Sequence, residues 1–254
     1  MTQNTLRIIL CGCNGKMGHS IQNAAQSVQN MEIVGLAYKK GHLPEQITKV
    51  QKLGLDRVVI IDFSVADASI PHVKAAAQAS LPYVTGVTGL NEKQMQEMQN
   101  LSARIPILVA PNMATSVNLV KALAQIAAKT MPWADMEIVD LHHRQKKDAP
   151  SGTALWLAKN VALARNQSVN EQTSPNTANR SPRKAHEIGI SSLRGGNLKG
   201  EHTVYFLGED ERLELKVQVT DRLVYAQGAL KAAVFLVDKK PGLYTMANVL
   251  NIAF

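Results

Sequence analysis

The sequence predicts an α/β protein: a parallel sheet wrapped by helices, followed by a second layer of mixed or antiparallel sheet. In the first half of the chain, short apolar runs alternate with helical patterns, which is typical of strand–helix–strand units. In the second half, apolar runs follow one another without helices between them, which favours strands joined directly to their neighbours. The chain is therefore expected to contain two regions of different architecture.

The parallel sheet is predicted from apolar runs in the first region. The first run, Leu6–Cys11, is apolar at almost every position, as expected for a strand covered on both faces. A glycine turn and a helix over residues 16–28 follow it. The other predicted strands are 32–37, 58–63, 83–85 and 105–110, with helices over 66–79 and 92–102.

The second region is predicted to be rich in strands. Leu213, Leu215, Val217 and Val219 alternate with polar residues, the pattern of a half-buried strand. Residues 166–183 are rich in Asn, Ser, Thr, Gln and Pro, which predicts a long polar loop. The full set comprises helices over 117–129, 154–164 and 226–237, strands over 136–141, 189–193, 202–207 and 213–219, and a helical or extended piece over 244–252.

The boundary between the regions is predicted near residues 111–115, where the strand–helix alternation stops. Because chain termini often lie close together, we expect the last helix to return to the first region. The predicted domains are therefore residues 1–113 with 224–254, and residues 114–223.

The composition limits the class of protein. Of the 254 residues, 45% are hydrophobic and 19% are charged, as in globular proteins, and no apolar run approaches the roughly 18 residues of a membrane span. No signal peptide is expected, since the first apolar run is short and lacks a charged segment before it. Cys11 and Cys13 lie too close together to bridge, so we expect free thiols and a reducing cytoplasm. The histidines do not combine with cysteine or acids at ligand spacing, and no metal site is predicted.

The net charge of +8 leaves two interpretations open, a solvated basic surface or attraction of small anionic ligands. Nucleic acid is less favoured, because aromatic residues are few and do not interleave with basic ones. We therefore expect neither nucleic acid nor a membrane as a partner.

A glycine-rich turn between the first strand and the first helix indicates a dinucleotide site. It reads Gly12-Cys13-Asn14-Gly15-Lys16-Met17-Gly18, with Asn14 where the second glycine usually stands. Glycines permit a tight turn and a close approach of the backbone to a pyrophosphate, which then rests on the helix N-terminus. The alternative is a strand–helix turn that contains glycines for other reasons.

The end of the second strand, Tyr38-Lys39-Lys40, bears on the choice of cofactor. In NAD-binding proteins an acid usually meets the ribose 2′-hydroxyl at this place, and none stands here. The two lysines suit a 2′-phosphate and Tyr38 can stack on adenine, so NADPH is favoured over NADH. The alternative is that both lysines are ordinary loop residues.

Three further turns follow predicted strands of the first region. Ligands of doubly wound sheets bind at the carboxyl ends of the strands, so these turns are expected to outline a cleft. They are Asp62-Phe63-Ser64, Gly86-Val87-Thr88-Gly89 and Ala110-Pro111-Asn112-Met113.

The run HHRQKKDAPSGT, from His142 to Thr153, places five potentially cationic side chains within six positions, ahead of a helix-start signal. Ser151 can cap the helix that follows and leave the N–H groups of Gly152 and Thr153 for an anion. His142 and Lys146 add groups that can move a proton. The run therefore predicts a site for a small, multiply anionic ligand.

Together the glycine turn, the three strand-end turns and this run resemble the dihydrodipicolinate reductase family, also called 4-hydroxy-tetrahydrodipicolinate reductases. The resemblance covers essentially the whole chain, and the run from His142 to Thr153 is its most specific part. The second half agrees through Leu193-Arg194-Gly195-Gly196, Gly200-Glu201-His202, Gly208-Glu209, and Arg222 with Tyr225-Ala226-Gln227-Gly228-Ala229.

The resemblance implies a Rossmann-like nucleotide domain closed by the last helix, and an α+β substrate domain whose open mixed sheet assembles a homotetramer. It implies an NAD(P)H-dependent oxidoreductase of diaminopimelate and lysine biosynthesis that transfers hydride to a cyclic dicarboxylate. By resemblance, His142 and Lys146 are catalytic, and His143, Gly152 and Thr153 bind substrate. The implied cofactor-binding residues are Gly12, Cys13, Asn14, Gly15, Lys16, Met17, Lys39, Gly86, Val87, Thr88, Ala110, Pro111, Asn112 and Met113.

The implied chemistry agrees with the residues. Hydride addition to a conjugated system leaves a neighbouring position to be protonated, and a lysine ammonium can supply that proton. We therefore expect Lys146 to be the proton donor and His142 to polarise or orient the substrate. One rival is another NADP-linked oxidoreductase on the same scaffold, which need not carry the cationic run. The other is a non-catalytic nucleotide- or nucleic-acid-binding protein, which would require neither His142 nor Lys146.

Overall fold

The structure, a computed structural model, describes residues 5–38, 41–167, 173–175, 183 and 187–252. The chain forms two compact units. The first unit comprises Met1–Thr115 and Arg222–Ala253, and the second comprises Ser116–Asp221. The chain therefore leaves the first unit once and returns to it for the last long helix.

A parallel six-stranded sheet lies at the centre of the first unit, as the strand–helix alternation predicts. The strands are β1 (Leu6–Cys11), β2 (Met31–Ala37), β3 (Val58–Asp62), β4 (Tyr83–Thr85), β5 (Pro106–Val109) and β11 (Gly242–Tyr244), in the order β11-β5-β4-β3-β1-β2. Every pairing in this sheet is parallel. The strand order reverses at β1, between β2 and β3, which is where open α/β sheets bind ligands.

Helices cover both faces of this sheet. Alternate residues of β1 point to opposite faces, so Ile8 and Leu10 join a core with the first and last long helices, whereas Ile9 and Cys11 join a core on the other face. This explains why the strand is apolar throughout. The helices of the unit are α1 (Lys16–Gln26), α2 (His42–Lys52), α3 (Ala66–Gln78), α4 (Glu92–Leu101), α7 (Leu223–Leu236) and α8 (Met246–Val249).

The second unit contains a five-stranded mixed sheet and two long helices, α5 (Thr115–Thr130) and α6 (Gly152–Ala164). The strands are β6 (Asp135–His142), β7 (Thr173–Pro175), β8 (Ile188–Arg194), β9 (Gly200–Leu207) and β10 (Arg212–Val219), in the order β10-β9-β6-β8-β7. β9 runs antiparallel to β6 and β10, whereas β8 runs parallel to β6 and β7. The predicted mixed sheet is thus confirmed, and β10 alternates between exposed and more buried residues.

Apart from shifts of up to three residues at the ends of elements, the structure differs from the sequence prediction in three places. Helix α2 was not predicted, although its buried residues Leu43, Ile47 and Val50 follow helical spacing. The loop predicted over residues 166–183 contains a short strand, β7, and most of the rest of that stretch lies outside the described residues. The piece predicted over 244–252 divides into the end of β11 and the short helix α8.

No described helix combines the length and the hydropathy that a membrane crossing requires. Cys11 and Cys13 are free, buried thiols, as predicted from their spacing. Burial, reinforced by the charge of Asp62, raises the pKa of the Cys11 thiol well above its usual value.

Candidate active site

The turn after β1 depends on two glycines. Gly12 has a φ of 76°, and a Cβ there would lie 2.6 Å from the carbonyl oxygen of Phe63. At Gly18, a Cβ would lie 2.3 Å from the carbonyl oxygen of Gly12, so α1 approaches the turn only because residue 18 has no side chain. The packing of the turn requires these glycines with or without a nucleotide.

The N-terminus of α1 is open to solvent. Its N-cap is Gly15, which has no side chain to accept hydrogen bonds from the first N–H groups of the helix. Asn14, Gly15 and Lys16 are exposed, whereas Met17 is partly buried and Cys13 lies in the core. Uncapped N–H groups beside an exposed lysine can receive a pyrophosphate, to which Cys13 would contribute only its backbone.

A cleft of about 520 Å³ opens in front of this turn. Tyr38 is 57% exposed and meets His42 edge to face, with the ring centroids 4.3 Å apart, so one face of Tyr38 can receive a base. Lys39 and Lys40, which suggested a 2′-phosphate, lie outside the described residues. The lining from the first turn and the end of β2 consists of Gly12, Asn14, Gly15, Ala37 and Tyr38.

Phe63, directly after β3, contacts the turns that follow two other strands. Its carbonyl group packs on Gly12, and its ring lies where a Cβ on Gly86 would be 2.3 Å away. Of the predicted cofactor residues after β4, Val87 is buried and Thr88 is exposed. Phe63 thereby holds the turns after β1 and β4 at one edge of the sheet.

The turn after β5 presents mainly main-chain atoms. Ala110, Asn112 and Met113 are buried, whereas Pro111 is exposed. The Oδ1 atom of Asn112 accepts a hydrogen bond from the N–H of Ala114 at 3.0 Å, so this side chain shapes the turn itself. A ligand at this turn would therefore meet Pro111 and the backbone.

A buried polar network below the turn after β3 was not predicted. The hydroxyl of Tyr83 donates to Asp62 Oδ2 at 2.5 Å, and His72 Nδ1 lies 2.8 Å from the same oxygen. The N–H of Ser64 donates to Asp62 Oδ1 at 2.8 Å, which fixes the turn. Burial alone would raise the pKa of Asp62, but the hydrogen bonds and the charge of His72 hold it below its usual value.

Donor atoms of Cys11, Asp62 and His72 lie within 4.8 Å of one another, a grouping that sequence spacing could not reveal because Cys11 is far from the other two in the chain. Asp62 and His72 already hydrogen-bond to each other. The absence of a metal site stays a prediction.

In the second unit, β6 ends in a buried Asp–His pair. Asp140 and His142 share the inward face of the strand with Ile138, and they are 0% and 7% exposed. His142 Nδ1 lies 3.3 Å from Asp140 Oδ1, and Arg194 Nη1 on β8 donates to the same oxygen. Burial would raise the pKa of Asp140, but hydrogen bonds from His142, Arg194 and Ser151 hold it well below its usual range.

Ser151 is the N-cap of α6, as the sequence predicts, and the helix begins at Gly152, two residues before the predicted start at Ala154. Ser151 Oγ accepts a hydrogen bond from the N–H of Ala154 at 3.2 Å and lies 3.1 Å from His202 Nε2. The His202 ring meets that of His142 edge to face, with centroids 5.2 Å apart. Burial and the charge of His142 lower the pKa of His202 to about 4, so His202 is neutral at physiological pH.

Lys146 is held by an ion pair. Its Nζ lies 2.8 Å from Asp148 Oδ1, and its side chain is 21% exposed. Arg194 Nη2 donates to the carbonyl oxygen of Asp148 at 2.7 Å, which ties this loop to β8. Burial would raise the pKa of Asp148, but the hydrogen bond from Lys146 keeps it below its usual value. Lys146 is thus oriented while part of its surface stays accessible.

The start of α6 and the adjoining loop offer space for an anion. Gly152 is exposed, and a Cβ placed there would meet no described atom within 4 Å. Thr153, the next residue, is partly exposed. In the loop before the helix, the N–H of His143 donates to the carbonyl oxygen of Leu198 at 2.9 Å. A pocket of about 320 Å³ is lined by His143, Arg144, Gln145, Gly196 and Asn197.

Sequence reasoning gave no role to Asp140, Arg194 or His202. The alternation of side chains along a strand indicates two of them. Asp140 on β6 and His202 on β9 each occupy a position at which the side chain is buried. Polar residues at such positions need buried partners, so they mark a network. Arg194 carried no comparable signal, because its partner Asp140 lies 54 residues earlier in the chain.

Comparison with known proteins identifies relatives along the whole chain. Residues 6–113 match the family described as dihydrodipicolinate reductase, N-terminus, and residues 116–250 match dihydrodipicolinate reductase, C-terminus. The 4-hydroxy-tetrahydrodipicolinate reductase of Zymomonas mobilis is 39% identical over 255 residues, covering 98% of this chain and 99% of the relative. The protein of the same name from Caldanaerobacter subterraneus is 38% identical over 252 residues, covering 97% and 98%.

The solved structures that resemble this chain include a member of the same family. The dipicolinate-bound dihydrodipicolinate reductase of Paenisporosarcina sp. TG-14 has a TM-score of 0.78 at 25% identity, covering 98% of this chain and 100% of that one. A probable dehydrogenase from Thermotoga maritima has a TM-score of 0.59 at 11% identity, a likeness of fold alone.

Proposed function

The chain belongs to the dihydrodipicolinate reductase family and is an NAD(P)H-dependent oxidoreductase of the diaminopimelate–lysine pathway, and on that premise we propose that Lys146 donates the proton when 4-hydroxy-tetrahydrodipicolinate is reduced. The observation that carries the proposal is the loop that brings His142, Lys146 and the open start of α6 into one unit. In this proposal residues 1–113 with 224–254 bind the cofactor, and residues 114–223 bind the substrate.

The residues of the first unit fit a dinucleotide. The uncapped start of α1 and the close-packed backbone at Gly12 suit a pyrophosphate, and the cleft beside Tyr38 suits an adenine. The turns after β4 and β5, residues 86–88 and 110–113, would hold the remainder through main-chain atoms. When bound, the reduced nicotinamide supplies the hydride.

NADPH is the preferred cofactor in this proposal. β2 leads into Tyr38, with no acid to accept a hydrogen bond from a ribose 2′-hydroxyl, and Lys39 follows in the sequence. A lysine is attracted to a 2′-phosphate, whereas the acid found in NAD-specific proteins repels it. NADH is then a usable but slower substitute.

The two carboxylates of the substrate are received by the second unit. The N–H groups of Gly152 and Thr153 begin α6, where the helix dipole favours negative charge, and His143 lines a pocket beside the preceding loop. The relative from Paenisporosarcina, which binds dipicolinate, supports a planar dicarboxylate as the ligand of this fold.

Lys146 and His142 divide the remaining work. Lys146 is oriented by Asp148, and its ammonium donates the proton to the position that becomes electron-rich as hydride arrives. His142, held by Asp140, polarises or orients the substrate beside it. The partner of each group, buried Asp140 for His142 and exposed Asp148 for Lys146, limits its motion.

The second unit also assembles the homotetramer in this proposal. β10 is an edge strand of the mixed sheet, and its residues Arg212, Glu214 and Lys216 are exposed. An unpaired edge with an exposed face is where another subunit can continue or cover the sheet.

Replacement of Lys146 tests the central assignment. Lys146→Ala is expected to lower kcat by about 100-fold or more, with little change in the Kd for NADPH because the predicted cofactor residues all belong to the first unit. Steady-state kinetics and a fluorescence titration with NADPH measure the two quantities. Lys147→Ala, which removes the adjacent exposed lysine, is the matched control and should retain kcat within a few-fold. Similar activity in both variants would exclude Lys146 as the proton donor.

A further inference from the structure

One buried carboxylate in the second unit receives hydrogen bonds from three different elements. Asp140 is 0% exposed, and its Oδ1 lies 3.3 Å from Nδ1 of His142. Arg194 on β8 donates to the same oxygen, and the backbone N–H of Ser151, the N-cap of α6, donates to Oδ2. The same side chain therefore touches the predicted catalytic histidine and the start of the predicted anion site.

This carboxylate is a fixed negative charge. A buried acid left without partners would take up a proton, whereas three donors stabilise the ionised form. An ionised carboxylate only accepts hydrogen bonds, so the Nδ1 atom of His142 must carry the proton of their contact. The other ring nitrogen, Nε2, lies where a Cβ on Gly200 would be only 3.1 Å away, so the absence of a side chain at residue 200 leaves room for the ring.

We propose that Asp140 is a positioning residue that holds His142 in its Nδ1–H form and fixes the N-cap of α6 against it. The inference rests on the proposed function, since it assigns the role of His142 to a neutral ring whose Nε2 carries no hydrogen and can accept one. It adds that Asp140 holds both the histidine proposed for the reaction and the start of the helix proposed to bind the substrate carboxylate. A change at Asp140 is therefore expected to disturb both functions.

The other charged and titratable groups around His142 leave this contact in place. Arg194 reaches it from β8 and stabilises the same carboxylate. His202 reaches it from β9, but its ring is buried, and its Nε2 contacts Ser151 and leaves Asp140 to His142. In the loop, Lys146 and Asp148 form an ion pair with each other, separate from the contact between Asp140 and His142.

Nitrogen NMR tests the proposal directly. Magic-angle-spinning ¹⁵N spectra of the full-length protein, labelled on the histidine rings and held at alkaline pH, report the tautomer of each neutral imidazole. His142→Gln identifies the His142 signals by their loss. We expect the wild-type protein to show His142 protonated at Nδ1, and finding the proton at Nε2 would overturn the proposal.

Asp140→Asn extends the test to catalysis. The amide has the same shape but no charge, and it cannot accept from all three donors, so we expect His142 to populate both tautomers. kcat should fall by about 100-fold, as expected when the carboxylate that orients a reacting histidine is removed. KM for the substrate should rise because the start of α6 loses its anchor, while the Kd for NADPH is unchanged.

Arg194→Gln is the matched control, because it removes one donor to Asp140 and leaves the carboxylate beside His142. It should keep the Nδ1–H tautomer even if stability falls. A single tautomer and kcat within a few-fold of wild type in Asp140→Asn would contradict the proposal. If the wild-type enzyme failed to reduce the substrate, the proposed function would fail, whereas the tautomer result would stand by itself.

Discussion

At the scale of single residues, the imidazole of His202 is buried where a positive charge is unfavourable. Only 3% of the residue is exposed, and the charge of His142 acts in the same direction as burial. The folded protein therefore requires His202 to be neutral. The free energy of unfolding therefore decreases when the pH is lowered, because His202 takes up a proton more readily in the unfolded chain than in the folded one.

Stability is accordingly predicted to depend on pH through His202. Unfolded histidine takes up a proton near pH 6.5, whereas folded His202 does so near 4. Between these values the unfolded state binds more protons than the folded state. The free energy of unfolding is therefore highest, as far as His202 is concerned, above pH 6.5, and it falls by about 3 kcal/mol as the pH is lowered to 4. Urea unfolding over this range measures it. His202→Gln should flatten the dependence, and an unchanged slope in that variant would assign the effect to other groups.

At the scale of elements, the two helices that begin at predicted binding sites start in different ways. α1 begins after Gly15, whose missing side chain leaves its first N–H groups uncapped. α6 begins after Ser151, whose hydroxyl caps Ala154 and whose N–H is held by Asp140. The second arrangement is more rigid, which suits a small substrate that must be placed accurately.

Gly152→Ala tests whether the start of α6 binds the substrate. A Cβ at this position has open space, and alanine leaves the unfolded chain less conformational freedom than glycine does, so the variant should be as stable as wild type or more stable. The added methyl group would, however, stand in front of the first N–H groups. KM for the substrate should rise by about tenfold, equivalent to about 1.4 kcal/mol. An unchanged KM in a stable variant would place the carboxylate elsewhere.

Sequence patterns predicted the bounds of some helices and strands correctly and missed others. β1 and β4 have the predicted bounds, and α1 starts where predicted but ends at Gln26 instead of residue 28. Helix ends depend on which residue caps them, and periodicity does not specify this. α2 was missed because its buried positions, Leu43, Ile47 and Val50, are diluted by polar residues and preceded by no cap signal.

The candidate site was only partly predictable for a physical reason. His142, Lys146, Ser151, Gly152 and Thr153 lie in one continuous run, so their chemistry could be read together. The residues that support them come from β8 and β9, and only the pairing of these strands with β6 brings them close. Contacts of that kind follow from the fold and leave no local pattern in the sequence.

At the scale of the whole molecule, the two compact units correspond largely to the two regions that match the family. The first unit contains a parallel sheet whose strand order reverses at the glycine turn, and the second contains a mixed sheet that supports the cationic loop. Family matches extend over both, residues 6–113 and 116–250, which is why the reaction can be assigned to the chain as a whole.

The most direct test is a coupled assay. Dihydrodipicolinate synthase generates the unstable substrate in place, and oxidation of NADPH and of NADH is followed separately by nicotinamide absorbance. We expect rapid oxidation that requires the synthase and is faster with NADPH, as the end of β2 predicts. Faster reaction with NADH would contradict the assigned preference. No oxidation of either cofactor, by folded protein that still binds NADPH, would contradict the substrate and the roles of Lys146 and His142.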